Sequence, residues 1–413
     1  MLMRKENGIS LNSNRMFSLG AAAILTVYFA LKPVYLAESG FLQVSDVFLI
    51  LALGCLLLQA RGIIHFNQEN SSVLKTFFFT IVYQAIINVI WSLVTGDANM
   101  NRHVLYYVFN FLAFAGCLYI GQKVGCETVK RAIGFGSFLA VIVTAAGLIF
   151  FSGSGIRSTG FFNNPNQLGY FAVIMLTVIA LCKDQMNKIE IAFVFVISFW
   201  SMIASLSKAA ILAYFIEVIV LILFYQNNRT TKRLVIEFAL LAVVGAAIYF
   251  LFYSNNSIII RSSVLSSMRR RILLMSEEND SGFSYGRGYA RIAEILPHLL
   301  WGTGEGAYER FSTMHGTEVH STFASLISCY GIIGLTGYLV VFIKCMGKKK
   351  QFIQNAVLLS GLFLYALSHN GIRNTLLWIV IALLYLCTSQ AGTESAYTWD
   401  NNSRTTDRGS LLT

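Results

Sequence analysis

Gly286-Arg-Gly-Tyr-Ala-Arg-Ile-Ala-Glu-Ile-Leu-Pro-His-Leu-Leu-Trp-Gly-Thr-Gly-Glu-Gly306 lies within the one long polar stretch of the chain, residues 254–320. On both sides of it the sequence is a series of apolar runs of about 17 to 23 residues, each long enough to cross a bilayer core as a helix. Twelve candidate spans follow, at 16–32, 46–60, 76–95, 104–121, 132–151, 168–182, 189–206, 208–225, 233–253, 321–343, 354–369 and 373–389. The fold expected is an all-α polytopic membrane protein. A single transmembrane domain, residues 1–389, carries the long extracytoplasmic loop 254–320. Residues 390–413, rich in Ser, Thr, Asn and Asp, read as a disordered cytoplasmic tail.

Composition supports this reading. Hydrophobic residues make up 56% of the 413 and charged residues 12%, which excludes an ordinary soluble domain of this length. A formal charge of +11 invites a nucleic-acid reading, but the basic residues are scattered between apolar runs rather than gathered on one polar face. The membrane accounts for them better. With both termini in the cytoplasm, the inner segments hold nineteen Lys and Arg and the short outer segments five, a bias that fixes the orientation. The first run follows Arg4, Lys5 and Arg15 but lacks a small-x-small cleavage site before Lys32, so it reads as a retained helix rather than a signal peptide. The seven cysteines avoid the predicted outer loops and show no metal-ligand spacing, which argues against disulfides and structural zinc.

Several polar positions stand out from this apolar background. Arg157-Ser-Thr-Gly-Phe-Phe-Asn-Asn-Pro-Asn-Gln-Leu-Gly169 is a structured loop re-entering a helix, with Asn164-Pro165 as the turn signal; a capping turn explains its asparagines equally well. Ser205-Leu-Ser-Lys208-Ala-Ala is a tight outer hairpin that leaves the Lys208 ammonium at the membrane surface, free to snorkel or to meet a phosphate. Arg287, Arg291, Glu294 and His298 recur on one stripe, with Tyr289, Ile292, Leu296 and Leu299 opposite, which predicts an amphipathic helix along the interface, bent by Pro297. A salt-bridged face on that helix is the plainer reading of its charges. Gly302-Thr-Gly-Glu-Gly306 lacks the strand and the Gly-Lys-Ser/Thr that a nucleotide loop needs, and is expected to turn the chain. His320 stands where the loop meets span ten and is placed to take a proton from a hydroxyl, although a lone interfacial histidine is more often a cap. Glu217 is the one acid near the middle of a span, a packing or functional carboxyl.

Taken in order, Arg157-x-Thr-Gly-Phe-x-x-Asn-Pro-Asn-x-Leu-Gly, Ser-x-Ser-Lys208-Ala-Ala, the Arg-led segment ending in Gly-x-Gly, and His320-Ser with its trailing Gly331-Ile-Ile-Gly334 resemble the O-antigen ligase and polymerase family over roughly residues 130–345. That family is similar to other multi-helix lipid-sugar glycosyltransferases. The resemblance implies transfer of a glycan from undecaprenyl diphosphate to a hydroxyl on the outer face of the inner membrane, with neither cofactor nor metal. It makes Lys208, Arg157 and either Arg287 or Arg291 binders of the diphosphate, and His320 the base; the hairpin position often held by Arg in relatives is Lys208 here.

The function expected is therefore polymerisation of a surface or secreted polysaccharide, by block transfer between undecaprenyl-diphosphate-linked glycans. A ligase passing the glycan to lipid A-core is the sister reading. From another class, a lipid-linked oligosaccharide flippase would need a charged central cavity, whereas nearly all ionisable groups fall at the outer face. The partners implied are the lipid-linked glycan, its acceptor and membrane lipid, with no nucleic acid.

Overall fold

The computed structural model describes residues 3–38, 41–60, 64–151, 157–224, 287–306, 319–348 and 350–389. The ninth predicted span (233–253), the remainder of the long loop with its Arg269–Arg271 run and His315, and the 390–413 tail lie outside them.

Among the described residues the chain is helical, with no strand. The helices are α1 (Met3–Leu31), α2 (Val44–Gln59), α3 (Gln68–Thr95), α4 (Val104–Val124), α5 (Cys126–Phe150), α6 (Pro165–Cys182), α7 (Lys188–Ser205), α8 (Lys208–Phe224), α9 (Thr322–Met346), α10 (Lys350–Leu358), α11 (Ser360–Ser368) and α12 (Thr375–Ser389). Two 3-10 helices, Ala98–His103 and Ala290–His298, complete the set. A helix thus covers each of the eleven predicted spans that fall in described residues. Six helices are long and apolar enough to cross a membrane, or seven if the bent pair α10–α11 is one span. The apolar part of α1, α2 and α12 are shorter, so length and composition support six or seven crossings where the apolar runs suggested twelve.

Local chemistry sets the helix ends. Asn67 caps α3 by accepting from Asn70 N at 2.8 Å, and Gly96 closes it in the left-handed region. Asn187 and Glu190 form a reciprocal capping box at the start of α7. Asn164 accepts from Gln167 N at 2.9 Å, with Pro165 as the first residue of α6, where its missing N–H costs nothing.

Burial follows from which helices lie inside the bundle. α6 is apolar all round and buried along most of its length, as is α12 from Leu376 to Leu386. Around them α1 packs on α2 and α5, α3 on α9, α7 on α5 and α6, and α8 on α11 and α6. Trp378 of α12 is fully buried against Phe77 of α3 and Phe342 of α9, with ring centroids 4.4 and 5.5 Å away, and donates to Ile372 O at 2.7 Å. Outward-facing positions are also apolar: Leu58, Phe79, Leu93 and Phe150 are largely exposed, a pattern that lipid tolerates and water does not.

Three local features depart from the regular helices expected. The predicted span 354–369 breaks between α10 and α11 with a 52° bend. α9 carries a non-helical residue, Gly331, at φ 64° and ψ −169°. The expected amphipathic α-helix is a nine-residue 3-10 helix. Its face is also turned: Arg291 and Ile295 point inward, while Leu296 and Leu300 are exposed. Pro297 has no N–H to donate, and the tighter three-residue turn, seen where Arg291 N meets Gly288 O, displaces the stripe expected at 3.6 residues per turn.

Candidate active site

At one end of the bundle the loop before α6, the α7–α8 turn, the start of α9 and the end of α11 come together. The α7–α8 turn forms because Leu206 takes a left-handed conformation, φ 47°, which reverses the chain within Ser205–Lys208. The 157–164 loop docks on that turn. Ser158 N donates to Ala204 O at 2.9 Å, and Arg157 donates through Nε to Ser205 O at 2.9 Å and through Nη2 to Asn166 Oδ1 at 2.6 Å. Gly169 allows α6 to lie close to α8, since a Cβ there would stand 2.7 Å from Ala210 Cβ. Two sequence motifs far apart in the chain therefore form one platform, with Arg157 on it and Lys208 at the first residue of α8.

α11 meets this platform through aromatic rings. Tyr170 of α6 stacks on Tyr365 at 4.5 Å, Tyr365 stacks on His369 at 4.6 Å, and the Tyr365 hydroxyl donates to Asn166 O at 2.8 Å. Residues 287–289 cross the end of α11. Arg287 donates through Nη1 to Ser368 O at 2.9 Å, and the Tyr289 hydroxyl donates to Leu367 O at 2.8 Å, so orphan carbonyls at a helix C-terminus receive a cation and a hydroxyl. Ser321, the N-cap of α9, donates through its hydroxyl to that of Tyr289 at 2.8 Å and ties both segments to α9.

Electrostatics identify the members of this cluster. Burial is the largest cause pushing the His369 pKa down to about 3, followed by the charges of Arg287, His320 and Arg157, so the imidazole is neutral. Burial also lowers the Arg287 guanidinium, with Tyr365 opposing. Lys32, Lys130, Arg131 and Arg373 each sit against a carboxylate, on Asp46, Glu127 and Asp184, Glu190, and Glu305 respectively. Arg287 has no carboxylate partner among the described residues; half-buried, its guanidinium donates to the Ser368 carbonyl, a charge that an anion could meet. Of the residues selected from sequence, Arg157, Arg287 and the exposed His320 are brought together here, and Lys208 borders them. Arg291 is not: it is buried on the inward face of the 3-10 helix. Tyr170, Tyr365 and Tyr289 were not singled out for this role. The four-residue spacing of Tyr365 and His369 at a helix end was the available signal.

Below the cluster an apolar crevice runs between α9, α11 and α12, lined by Leu326, Leu335, Phe342, Leu362, Phe363 and Ile381. Tyr170, Thr322 and Gly371 line it as well. The Thr322 hydroxyl donates to His369 O at 3.0 Å and accepts from Gly371 N at 3.0 Å, joining crevice to cluster.

Gly302–Gly306 does more than turn the chain. A Cβ at Gly302 would overlap Cys329 O and Tyr330 N, and one at Gly331 would overlap Leu300 O, so the two backbones touch where only glycine fits. Thr303 N donates to Ser328 O at 3.0 Å, Gly304 N to Cys329 O at 2.8 Å, and Ile332 N to Leu299 O at 2.9 Å. Glu305, buried, accepts from the Tyr107 and Tyr330 hydroxyls at 2.9 and 2.8 Å and pairs with Arg373. Burial alone would raise this carboxyl; Arg373, His103 and the two hydroxyls outweigh it and hold it below the ordinary range. Glu217 lies apart from both groups, deep in α8 against α6 and α11, where Thr177 donates to Oε1 at 2.7 Å and a Cβ on Gly361 would overlap Oε2. Among the described residues no three His, Cys, Asp or Glu side chains converge on a metal position.

Residues 193–339, from within α7 through most of α9, match the family model described as O-antigen ligase. No curated protein matches the chain.

Proposed function

We propose, on the match of residues 193–339 to the family model described as O-antigen ligase, that the chain belongs to that family and polymerises a polysaccharide by moving glycan blocks from undecaprenyl diphosphate to an acceptor sugar hydroxyl. The reaction takes place on the outer face of the bacterial inner membrane. The acceptor oxygen bonds to the anomeric carbon, the bond from that carbon to the phosphate oxygen breaks, undecaprenyl diphosphate leaves, and the acceptor proton passes to His320. Arg287, Arg157 and Lys208 stabilise the charge that develops on the departing diphosphate, which is the task otherwise given to a metal ion.

The observation that carries this reading is Arg287, a cation without a carboxylate partner among the described residues, held at the end of α11, whose Leu362, Phe363 and Ala366 line an apolar crevice. A long apolar chain with an anionic head suits that pairing. Twelve crossings with both termini in the cytoplasm complete the topology proposed, on the strength of the nineteen-to-five charge bias. The family's own description favours a second reading, ligation of the finished glycan to lipid A-core.

The glycan profile of a deletion strain separates the possibilities. A single unpolymerised repeat unit on the surface is expected of a lost polymerase, and long chains retained on the carrier are expected of a lost ligase. Repeat units trapped inside the cell would point to a flippase and overturn both. In vitro, transfer from purified undecaprenyl-diphosphate glycan is expected to persist in EDTA. His320→Ala is expected to lose about 10²- to 10⁴-fold in turnover with donor binding retained.

A further inference from the structure

The loop 369–374, which joins α11 to α12, is held closely by its backbone. His369 N donates to Tyr365 O at 2.9 Å, His369 O and Gly371 N meet the Thr322 hydroxyl, and Asn374 N donates to Gly371 O at 3.0 Å. Ile372 O accepts from Trp378 Nε1 at 2.7 Å and Asn110 Nδ2 at 3.4 Å, and Arg373 pairs with Glu305. Against this, two adjacent side chains at the start of the loop each leave a buried polar atom unused. His369 Nδ1 is buried without a hydrogen-bond partner, and so is Asn370 Oδ1, although Asn370 Nδ2 donates to Ser325 Oγ at 3.1 Å.

Leaving a buried acceptor unpaired is unfavourable, and two on adjacent side chains point to a ligand that supplies donors. The ligand's chemistry follows from theirs. A carboxamide oxygen and the bare nitrogen of a neutral imidazole accept hydrogen bonds and repel anions, so neither suits a phosphate. Hydroxyl groups suit both. Both residues are half-buried, and His369 lies within reach of the charges of Arg287, His320 and Arg157, so the pair stands beside that cluster.

We propose that His369 and Asn370 form a subsite for the hydroxyl groups of the acceptor sugar, beside the diphosphate-binding cations and separate from them. The subsite rests on the glycan-transfer reading for its substrate. It orients the acceptor so that one hydroxyl faces His320, which makes His369 and Asn370 residues of acceptor recognition rather than of proton transfer.

Two probes separate the subsite from the cation cluster in full-length protein in nanodiscs. One is the oligosaccharide released by mild acid from the carrier lipid of the producing strain, and the other is inorganic pyrophosphate. His369→Leu and Asn370→Leu are each expected to weaken oligosaccharide binding about tenfold or more, the worth of a lost buried hydrogen bond. Pyrophosphate binding should stay within about twofold, since these residues are not its ligands. His369→Asn and Asn370→Asp, which keep an acceptor in place, should retain most of the oligosaccharide affinity. Unchanged oligosaccharide binding in both Leu variants, no oligosaccharide binding by the wild type, or equal loss of both probes would each overturn the subsite. Oligosaccharide binding by a wild type that ignores pyrophosphate would leave the subsite standing and remove the diphosphate-donor half of the proposed function.

Discussion

Arg287 and Arg291 are four residues apart and carry the same charge, yet their surroundings give them different work. Arg287 donates to the end of α11 beside His369 and Tyr365, whereas Arg291 is buried on the inward side of the 3-10 helix. Arg287→Ala is expected to remove most transfer activity with the folded state intact. Arg287→Lys should restore only part, because a point charge cannot reproduce a planar fork on a phosphate. Arg291→Ala should instead lower the thermal midpoint; if it abolished donor binding in a fully folded sample, the assignment would have to be exchanged. Glu305 gives a pH prediction. Its folded pKa is depressed, so the stability it contributes is present above the unfolded value of about 4.3 and lost as pH falls through the folded value. Melting followed by tryptophan fluorescence should hold steady between about pH 7 and 5 and decline only in stronger acid. Glu305→Gln, which strands the partly exposed Arg373, should already cost about 2–4 kcal/mol at pH 7 and flatten the acid decline.

Within the elements, legibility in the sequence tracked the range of the interaction. Helix positions followed from apolar runs, and the α6 start from Asn164-Pro165, because both depend on neighbours along the chain. The 3-10 form of residues 290–298 did not, since a nine-residue stripe fits more than one helical pitch when a proline stands in it. The break between α10 and α11 falls at Leu359, next to Ser360-Gly361, a pair that can kink a helix but also occurs within straight ones, so the sequence alone did not single out the bend. Gly302 and Gly331 were visible as glycines, but their contact joins segments 29 positions apart and appears only once the chain is folded. That contact is testable. Gly331→Ala puts a Cβ into Leu300 O at a backbone conformation alanine rarely adopts, and should destabilise by at least about 2 kcal/mol. Gly20→Ala, with nothing within 4 Å of the added methyl, should be neutral or slightly stabilising. Equal thermal midpoints for the two variants would contradict the packed contact.

For the whole molecule, the orientation proposed from the charge bias would put Leu300, half-exposed beside the site, on the outer face of the membrane. Leu300→Cys in a background without other cysteines should react with an impermeant maleimide added to intact spheroplasts; labelling only after the membrane is opened would reverse the topology. Candidate residues were legible as types, because arginines and histidines at span ends are few, but their grouping was not, since it needs α6, α8, α9 and α11 together. The broken helix α9 has a further consequence. Where Gly331 interrupts it, residues 299–304 supply the hydrogen bonds that an unbroken helix would make for itself, through Thr303 N, Gly304 N, Leu299 O and Leu300 O. Peeling that strap away would strand four backbone groups or more at the rim of the bilayer, at a cost of roughly several kcal/mol. The strap is thus a fixed roof over this edge of the bundle, and for the lipid-borne donor proposed above it leaves the crevice between α9 and α11 as the way to the cluster.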